Sequence, residues 1–402
     1  MKQASSAQPQ SFAVIKSFNF FIYGAIAIYM SFFPLYLHSV GVSSFQIGVL
    51  LAGGPFISVL ANPFWGYISD RWHNTKRVLL VLLFGNLILM QAAFIGFSYP
   101  VLVMIMLAYF FFESPLFSQS NSLILDTIEG TGRRFGEFRL WGSLGWALMA
   151  VSAGPVIGMI GIQRLWIVYS LIMLAAIVVA LWLPRRNISP KSAAEQGSYA
   201  SIFKNKWFIV FLLIGVLISI PNGMNSTFMP LYMSELGGTE GLIGLSAFLT
   251  SIFEIPVFLL FDRYMPKGKK AMIMGLALVS LLYSVRWLLM SAATSPYEVI
   301  GIQVMNSVTF GGFYYIGTQL TSVLVPQQFR ASGQALYALS WGGVAGIIAG
   351  IAGGWVFQNL GAVTMYRLGS VLSLLSVAGF LLLYVLMRRA AGIGIDSGES
   401  MR

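Results

Sequence analysis

An internal repeat constrains this chain more than any other feature of its sequence. The segment FPLYL at 33–37 returns as MPLYM at 229–233, and the Asp-Arg pair at 70–71 returns at 262–263. The two offsets, 196 and 192 residues, are each close to half of the 402-residue length. Such an offset indicates that the chain consists of two related halves, each folded in the same way.

Composition places both halves in a membrane. The chain is 57% hydrophobic and only 9% charged, with a mean hydropathy of +0.80, whereas soluble domains carry roughly 25% charged residues. The hydrocarbon core of a bilayer takes about 20 apolar residues per helix. The sequence contains twelve such segments, which we predict to be membrane-spanning helices: 12–37, 44–69, 77–97, 100–127, 135–160, 163–183, 207–233, 241–262, 270–291, 296–325, 331–357 and 364–387.

Six of these spans precede a long polar stretch and six follow it. We therefore predict an N-terminal half at 1–183, a cytosolic linker at 184–206, and a C-terminal half with a short tail at 207–402. The predicted fold is an all-α membrane protein with two pseudo-symmetric six-helix halves. Duplicated halves of this kind build alternating-access transporters, with the substrate site between them near the membrane midplane.

The distribution of basic residues predicts the orientation. The net charge is +11, and 21 of the 24 Lys and Arg fall in the termini or in alternate loops. This is the positive-inside asymmetry of a multi-pass membrane protein with both termini in the cytosol. The charge therefore points to a lipid bilayer in the cell membrane, and not to a nucleic acid, as the partner.

Residue types that carry much enzyme chemistry are scarce. Cysteine is absent, and the two histidines, His38 and His73, lie at predicted helix ends. Without cysteine the chain has no disulfide and no cysteine nucleophile. Two separated histidines are too few to hold a metal cluster. A membrane-embedded enzyme would have to act through carboxylates alone. We therefore expect no metal, no cofactor and no enzymatic activity.

The charged turn after the second span resembles the loop signature of the major facilitator superfamily, a glycine followed by an Asp-Arg pair and two basic residues. Trp72 stands where that signature usually has a small residue, and the second copy lacks the glycine. The resemblance implies a cytosolic gate whose carboxylates hold a neighbouring helix end or an arginine while that side is closed. The gate residues it implies are Gly66, Asp70, Arg71, Lys76, Arg77, Asp262 and Arg263.

Other segments narrow the resemblance. FGEFRLWGSLGW at 135–146, EIP at 254–256 and FRASGQALY at 329–337 are similar to the phenylpropionate permease and lactose permease relatives. The resemblance covers nearly the whole chain and implies a monomeric bacterial transporter of a small-molecule substrate, coupled to protons. It does not imply a particular substrate, because this superfamily hosts many.

Charged residues inside the spans are the first candidates for function, because each costs roughly 2.5–3.5 kcal/mol there and needs a partner or water. Arg139 matches the arginine that binds substrate in lactose permease relatives, although an arginine so near a helix end can also snorkel to the interface. Glu254 lies eight residues before Asp262, about 12 Å into the bilayer. Desolvation there disfavours a carboxylate, so Glu254 is the candidate proton carrier; the alternative is a structural ion pair or a hydrogen bond to the backbone.

Two further charged residues lie within the predicted spans. Glu113 lies in the fourth span, two residues before Pro115, and is either a second proton-coupling site or a structural partner of Arg139 or of a tyrosine on the first span. Arg286 lies in the ninth span, which in relatives supports the cavity wall. We expect Arg286 to form a structural ion pair.

Uncharged polar residues complete the candidate substrate site. In the relatives the positions of Asn121, Gln303 and Asn306 include ionisable residues, and an amide cannot accept a proton near neutral pH. Coupling would then depend on Glu254 or Glu113. The full set favours a neutral or weakly charged ligand, although each residue singly can equally make an interhelical hydrogen bond worth about 0.6 kcal/mol. The polar candidates are Tyr23, Asn121, Asn222, Asn225, Gln303, Asn306 and Tyr337.

Glycines at spacings of three and four, as in GGVAGIIAGIAGG at 342–354, predict close helix approach. Together these features favour proton symport of a small organic solute that is sugar-like, nucleoside-like or an aromatic acid. Proton-coupled efflux of a drug or metabolite is the alternative, since a lone acid among the 31 phenylalanines would suit it. A lipid-head-group flippase is a further alternative and would require a cavity open sideways to lipid.

Overall fold

The computed structural model describes residues 9–96, 98–184, 205–265 and 268–396, and of residues 9, 10, 262, 328, 331 and 390–396 the backbone alone. Most of the predicted linker at 184–206, the side chain of Asp262 and the loop residue Lys267 lie outside the described part.

Helices account for nearly all of the described residues, and no strand occurs among them. Two single 3-10 turns, Ile162–Arg164 and Gln327–Phe329, and a π-helical turn, Leu339–Val344, join some of the helices. The helices are α1 Pro9–Ser39, α2 Ser44–Trp72, α3 Thr75–Phe94, α4 Tyr99–Glu113, α5 Pro115–Ile128, α6 Phe135–Ile160, α7 Leu165–Leu181, α8 Lys206–Glu235, α9 Glu240–Tyr264, α10 Lys269–Ala292, α11 Pro296–Val304, α12 Asn306–Leu324, α13 Arg330–Ala338 and α14 Ala345–Asp396.

The predicted all-α membrane fold is confirmed. Ten helical segments of the described part are long and apolar enough to cross a bilayer. The last of them runs for 58 residues and contains Gly361 at φ 79° and ψ 167°, where one helix ends and another begins. The predicted span 296–325 is built from α11 and α12, which meet at Met305. The count of twelve spans stays a prediction.

Proline and capping residues explain where several helices begin. Pro115 starts α5 directly after Ser114, which divides the predicted span 100–127 into α4 and α5. A proline at the first helical position loses no hydrogen bond, because that N–H has no partner within the helix. Ser43 and Gln46 cap α2 reciprocally, each side chain accepting from the backbone of the other.

Short connections reverse the chain, so that helix ends lie on two sides of the molecule. On one side, the Lys16 ammonium on α1 pairs with the Glu137 carboxylate at the start of α6 at 2.6 Å. We call this the basic side; it holds the first residues of α1, α3, α6 and α8. On the other, which we call the far side, the Tyr232 hydroxyl near the end of α8 donates to the Ala293 carbonyl after α10 at 3.0 Å.

The two halves are in close contact towards the far side. Gly48 on α2 lies against the backbone carbonyl of Gly350 on α14, and Gly244 on α9 lies against the carbonyl of Ala150 on α6. A Cβ at either glycine would clash with these backbone atoms. Glycine therefore permits close packing between helices of different halves, and Gly350 belongs to the cluster for which the sequence predicted close helix approach.

The basic side is more open at the corresponding helices. A Cβ added at Gly66 near the end of α2, at Gly136 in the first turn of α6, or at Gly342 before α14 would meet nothing within 4 Å. The same helices that touch the other half at one end thus have free space at the other. The structure is of a molecule closed on the far side.

Candidate functional site

A cavity of about 500 Å³ lies between the halves and is lined by both of them. Side chains from α1, α5 and α6 form one wall, and side chains from α8, α9, α11, α12 and the π-helical turn form the other. The lining residues are Tyr23, Met30, Ser31, Phe117, Arg139, Ser143, Trp146, Asn222, Asn225, Ser226, Met229, Pro230, Ala247, Thr250, Ser251, Glu254, Gln303, Asn306, Phe310 and Trp341.

Helical periodicity explains why these residues share the cavity. Residues three, four and seven apart lie on one face of a helix. Arg139 is followed on α6 by Ser143 and Trp146 at intervals of four and seven, and Glu254 is preceded on α9 by Ser251 and Ala247 at intervals of three and seven. Sequence reasoning missed Ser143, Trp146 and Ser251, although this spacing from the two charged residues would have identified them.

The structure brings most of the sequence-predicted site residues together. Those that line the cavity are Arg139, Glu254, Tyr23, Asn222, Asn225, Gln303 and Asn306. Three others do not line it: Asn121, Glu113 and Tyr337. The hydroxyl of Tyr337 donates to the Phe313 carbonyl at 2.9 Å, deep within the C-terminal half, so it has a structural partner already. The side-chain oxygen of Asn121 is buried on α5 without a partner.

Arg139 points into the cavity. Its guanidinium carbon lies 4.2 Å from the ring centroid of Tyr23 on α1, a cation–π arrangement. Its Nη1 atom is buried and has no hydrogen-bond partner. A snorkelling arginine would place this atom in water, so the geometry favours the cavity interpretation. The Nη1 atom therefore has an unused donor, which neighbouring side chains cover in this state.

Glu254 faces the cavity from the opposite half. It lies within electrostatic range of Arg139, but no ion pair within 4.0 Å joins the two side chains. The space between them is part of the cavity. A carboxylate and a guanidinium on different halves therefore face each other across a gap that a small molecule can enter.

Arg286 corrects one prediction. Its side chain is fully buried on α10, and no carboxylate of the described part lies within salt-bridge distance of it. Nη1 donates to the Asn306 amide oxygen at 2.7 Å and to the Thr309 hydroxyl at 3.2 Å, while Nη2 donates to the Gln303 amide oxygen. The guanidinium also lies 4.4 Å from the ring centroid of Trp287. Neutral groups, and not the predicted acid, surround this cation.

The same hydrogen bonds continue to α8. The Gln303 amide nitrogen donates to the Asn225 side-chain oxygen at 2.8 Å, and the Tyr366 hydroxyl donates to the same oxygen at 3.1 Å. Two cavity-lining amides on α11 and α12, Gln303 and Asn306, are thus held in place by a buried guanidinium behind them. The sequence predicted these amides as substrate ligands, which stays a prediction, and gave no sign that a cation orients them.

Glu113 belongs to a separate group within the N-terminal half. It ends α4 and lies within electrostatic range of Tyr29, Tyr109 and Tyr169. The sequence offered Arg139 or a tyrosine on the first span as the structural partner of Glu113. In the structure Glu113 lies near Tyr29 on α1. Glu113 stays a second candidate for coupling.

The predicted gate residues lie on the basic side. Asp70, Arg71 and Arg77 are exposed, and Arg71 Nη1 is 3.5 Å from the hydroxyl of Tyr67 on the same helix. Lys76 donates to the Leu181 carbonyl at the end of α7. In the second copy, the Arg263 guanidinium lies 5.6 Å from the ring centroid of its neighbour Tyr264. Their role in closing this side stays a prediction.

Comparison with known proteins extends this picture. A model of the MFS_1 like family matches residues 12–368. The uncharacterized transporter YwbF of Bacillus subtilis (strain 168) is 27% identical over 380 residues, which cover 94% of each chain. Maltose permease of Geobacillus stearothermophilus is 26% identical over 400 residues, which cover 98% of each chain. A mutant form of the nucleoside transporter NupG has the same fold, with a TM-score of 0.78 at 17% identity over 93% of this chain and 99% of that one.

These matches agree with the fold and with the cavity between its halves. The family model spans most of the chain, and both curated relatives are transporters and not enzymes. The expected absence of enzymatic activity follows from this membership. The chain belongs to the MFS_1 like family and is a membrane transporter of the major facilitator superfamily.

Proposed function

We propose that the protein is a proton symporter that takes up a small organic solute by alternating access at the cavity between its halves. The observation that carries the proposal is the placement of Arg139 and Glu254. They come from different halves, face one cavity, and are not paired with each other. One can bind a solute while the other holds a proton.

The geometry supports a simple coupling cycle. With the basic side in the cytosol, as the charge distribution predicts, the structure is an inward-facing state. Solute at Arg139 and a proton on Glu254 would enter from the far side and leave to the cytosol after the halves rock. In the empty transporter, deprotonated Glu254 and Arg139 can attract each other across the cavity, which compensates both charges and permits the return step.

Reconstitution tests this proposal directly. A thermal-shift screen of the purified protein against small solutes would first identify a ligand. Proteoliposomes with an imposed proton gradient should then accumulate that solute on the side towards which protons flow. Accumulation in the opposite direction would establish efflux by antiport instead, and uptake that ignores the proton gradient would rule out coupling.

The predicted topology can be tested with single cysteines, because the natural chain contains none. We expect cysteines at Ser189 and at Arg402 to react with a membrane-impermeant maleimide only after the cytosolic side is exposed. A cysteine at Glu240, at the start of α9 on the far side, should react in intact cells. A label on the wrong side at any one of these positions would overturn the twelve-helix arrangement.

The gate interpretation predicts that Asp70→Asn slows transport several-fold and leaves solute binding measurable. A carboxylate that holds a helix end contributes about 0.3–1 kcal/mol, and up to about 2 kcal/mol in favourable sites. Loss of that contact should disfavour closure of the basic side without touching the cavity. Glu129→Gln, which removes an exposed acid at the end of α5 on the same side, is the matched control. If both variants transport solute equally well, Asp70 has no role in the gate and the charged turn serves only to orient the chain in the membrane.

A further inference from the structure

We infer that the solute is an organic anion, whose carboxylate-type group binds at Arg139 while its apolar body lies among the aromatic side chains of the cavity. This inference rests on the proposed transport function and names the substrate class of the same site. Of the solute classes that the sequence favoured, it selects the aromatic or other organic acid and departs from the neutral ones.

Unsatisfied hydrogen-bond groups give the first argument. Among the residues that line the cavity, two polar side-chain atoms are buried without a partner, Arg139 Nη1 and Trp341 Nε1. Both are donors and neither can accept a hydrogen bond. A buried donor left unpaired is destabilising, and more so when the group is charged. Other side chains cover these two donors in this state, and a ligand oxygen that reached them after a side-chain shift would supply the missing acceptor.

Charge gives the second argument. Arg139 lines the cavity. Arg286 lies behind the opposite wall, where it donates hydrogen bonds to the lining amides Gln303 and Asn306. Within the described part, Glu254 is the acidic residue that lines the cavity. Two guanidinium groups against one carboxylate leave an excess of positive charge. When Glu254 takes up a proton, the excess becomes two charges in a site of low dielectric, where a bound anion is strongly favoured.

The neutral partners of Arg286 strengthen this point. A buried cation is usually accompanied by an acid, and this one has amides, a hydroxyl and the Trp287 ring instead. Its field is therefore not cancelled locally. The amide dipoles of Gln303 and Asn306 turn their oxygens towards the guanidinium, so their nitrogen ends point away from it. The Gln303 nitrogen binds Asn225, another residue of the cavity wall.

The remaining walls fit an apolar body. Aromatic rings approach the cavity from both halves, with the Tyr23 and Phe117 centroids 4.7 Å apart and the Phe310 and Trp341 centroids 5.9 Å apart. Trp341 is placed by the π-helical turn, a local widening of the helix that often occurs at functional sites. A ring or short alkyl chain can pack against these faces while the anionic group reaches Arg139.

An anionic solute also explains why coupling to a proton would be obligatory. An ionised Glu254 facing the same cavity would repel the anion, so the anion binds well only when Glu254 is protonated. One anion and one proton then cross together, and no net charge moves. Neutral solutes would not impose this condition.

Cysteine chemistry tests the cavity charge without knowledge of the solute. Ser251→Cys places the only thiol of the chain in the cavity, three residues from Glu254. Its reaction rates with two methanethiosulfonates of similar size, one carrying a sulfonate and one a trimethylammonium group, are compared with those of 2-mercaptoethanol. We expect the sulfonate reagent to be favoured at least about tenfold over this reference, which corresponds to about 1.4 kcal/mol, because opposite charges attract strongly in a cavity of reduced dielectric.

Charge variants on the Ser251→Cys background serve as matched controls. Arg139→Gln should remove most of the preference, Arg139→Lys should retain it, and Glu254→Gln should increase it. A preference for the cationic reagent in the parent, or no response to Arg139→Gln, would overturn the inference. Because these rates are measured in detergent, they do not depend on transport and can fail or succeed separately from the proposed symport.

Ligand protection completes the test. The same cysteine should be protected from labelling by carboxylates such as benzoate, 3-phenylpropionate and hexanoate more strongly than by the amides of the same acids at equal concentration. Arg139→Gln should abolish this difference. Equal or better protection by the amides, by maltose or by uridine would assign the site to neutral solutes and refute an anionic substrate.

Discussion

Glu254→Gln is expected to abolish solute accumulation driven by a proton gradient while preserving exchange of solute across the membrane. Glutamine resembles the protonated glutamate in shape and charge but cannot release a proton. The variant should therefore bind solute and move with it, yet fail to return empty. For one proton per solute, a gradient of one pH unit supports about tenfold accumulation. We expect this ratio to fall to about one.

Counterflow and gradient-driven uptake in the same proteoliposomes separate the two effects. Counterflow requires only the loaded transporter, whereas accumulation requires the complete cycle. Glu113→Gln is the parallel variant, because Glu113 is the second candidate for coupling and does not line the cavity. If Glu254→Gln still concentrates solute, Glu113 becomes the coupling residue. If both variants concentrate it, proton symport through these acids is untenable.

The fold could be predicted from sequence because the bilayer leaves few options. Apolar segments of about 20 residues must form helices in a membrane, since no water satisfies their backbone groups. The repeat of FPLYL at 33–37 as MPLYM at 229–233 then divides the chain. The break at Gly361 and the junction at Met305 depend on local backbone conformation, which hydropathy does not report.

The candidate site was predictable in part. Arg139 and Glu254 stood out because a charge within an apolar span is costly and is kept for a reason. Tyr337 and Asn121 do not line the cavity, because a polar residue on a helix can face the cavity or the interior of its own half. Tyr337 makes a structural hydrogen bond to the Phe313 carbonyl. Only the rotation of each helix, fixed by packing, decides between these positions.

Arg286 shows a different limit of the sequence. Position on the ninth span indicated a structural role, and charge indicated an ion pair. The partners are amides of α11 and α12, which sequence reasoning had assigned to the ligand. A guanidinium has five donors, and three neutral acceptors bind the two terminal nitrogens of Arg286, while its Nε is buried without a partner. The charge balance of the cavity therefore could not be predicted from sequence, because it depends on contacts between residues about 20 positions apart on neighbouring helices.

The second large effect concerns the contact between the halves. The double variant Gly48→Ala with Gly244→Ala should shift the transporter away from the state closed on the far side. Each added Cβ would overlap backbone atoms of the opposite half, which cannot move aside as a flexible side chain can. Overpacking of this kind costs about 1–3 kcal/mol per site. Because both sites destabilise the state closed on the far side, its ratio to the state closed on the basic side should fall at least about tenfold.

Spin labels can measure this shift in a chain without natural cysteines. Cysteines at Ser39 and Ser234 report the distance between the halves on the far side, and cysteines at Arg134 and Gln327 report it on the basic side; all four residues are exposed. In the double variant, we expect the far-side distance to increase and the basic-side distance to decrease.

Gly145→Ala separates this effect from general strain. Its Cβ would clash with the Phe20 backbone in the same way, but α1 and α6 belong to the same half. This variant should lower the thermal stability and leave both distance distributions unchanged. The added Cβ forces α1 and α6 apart, and these two helices move together when the halves rock. If the double variant behaves like Gly145→Ala, the glycines only allow tight packing. If the double variant alone opens the far side and closes the basic side, the glycines of α2 and α9 set the equilibrium between these two states.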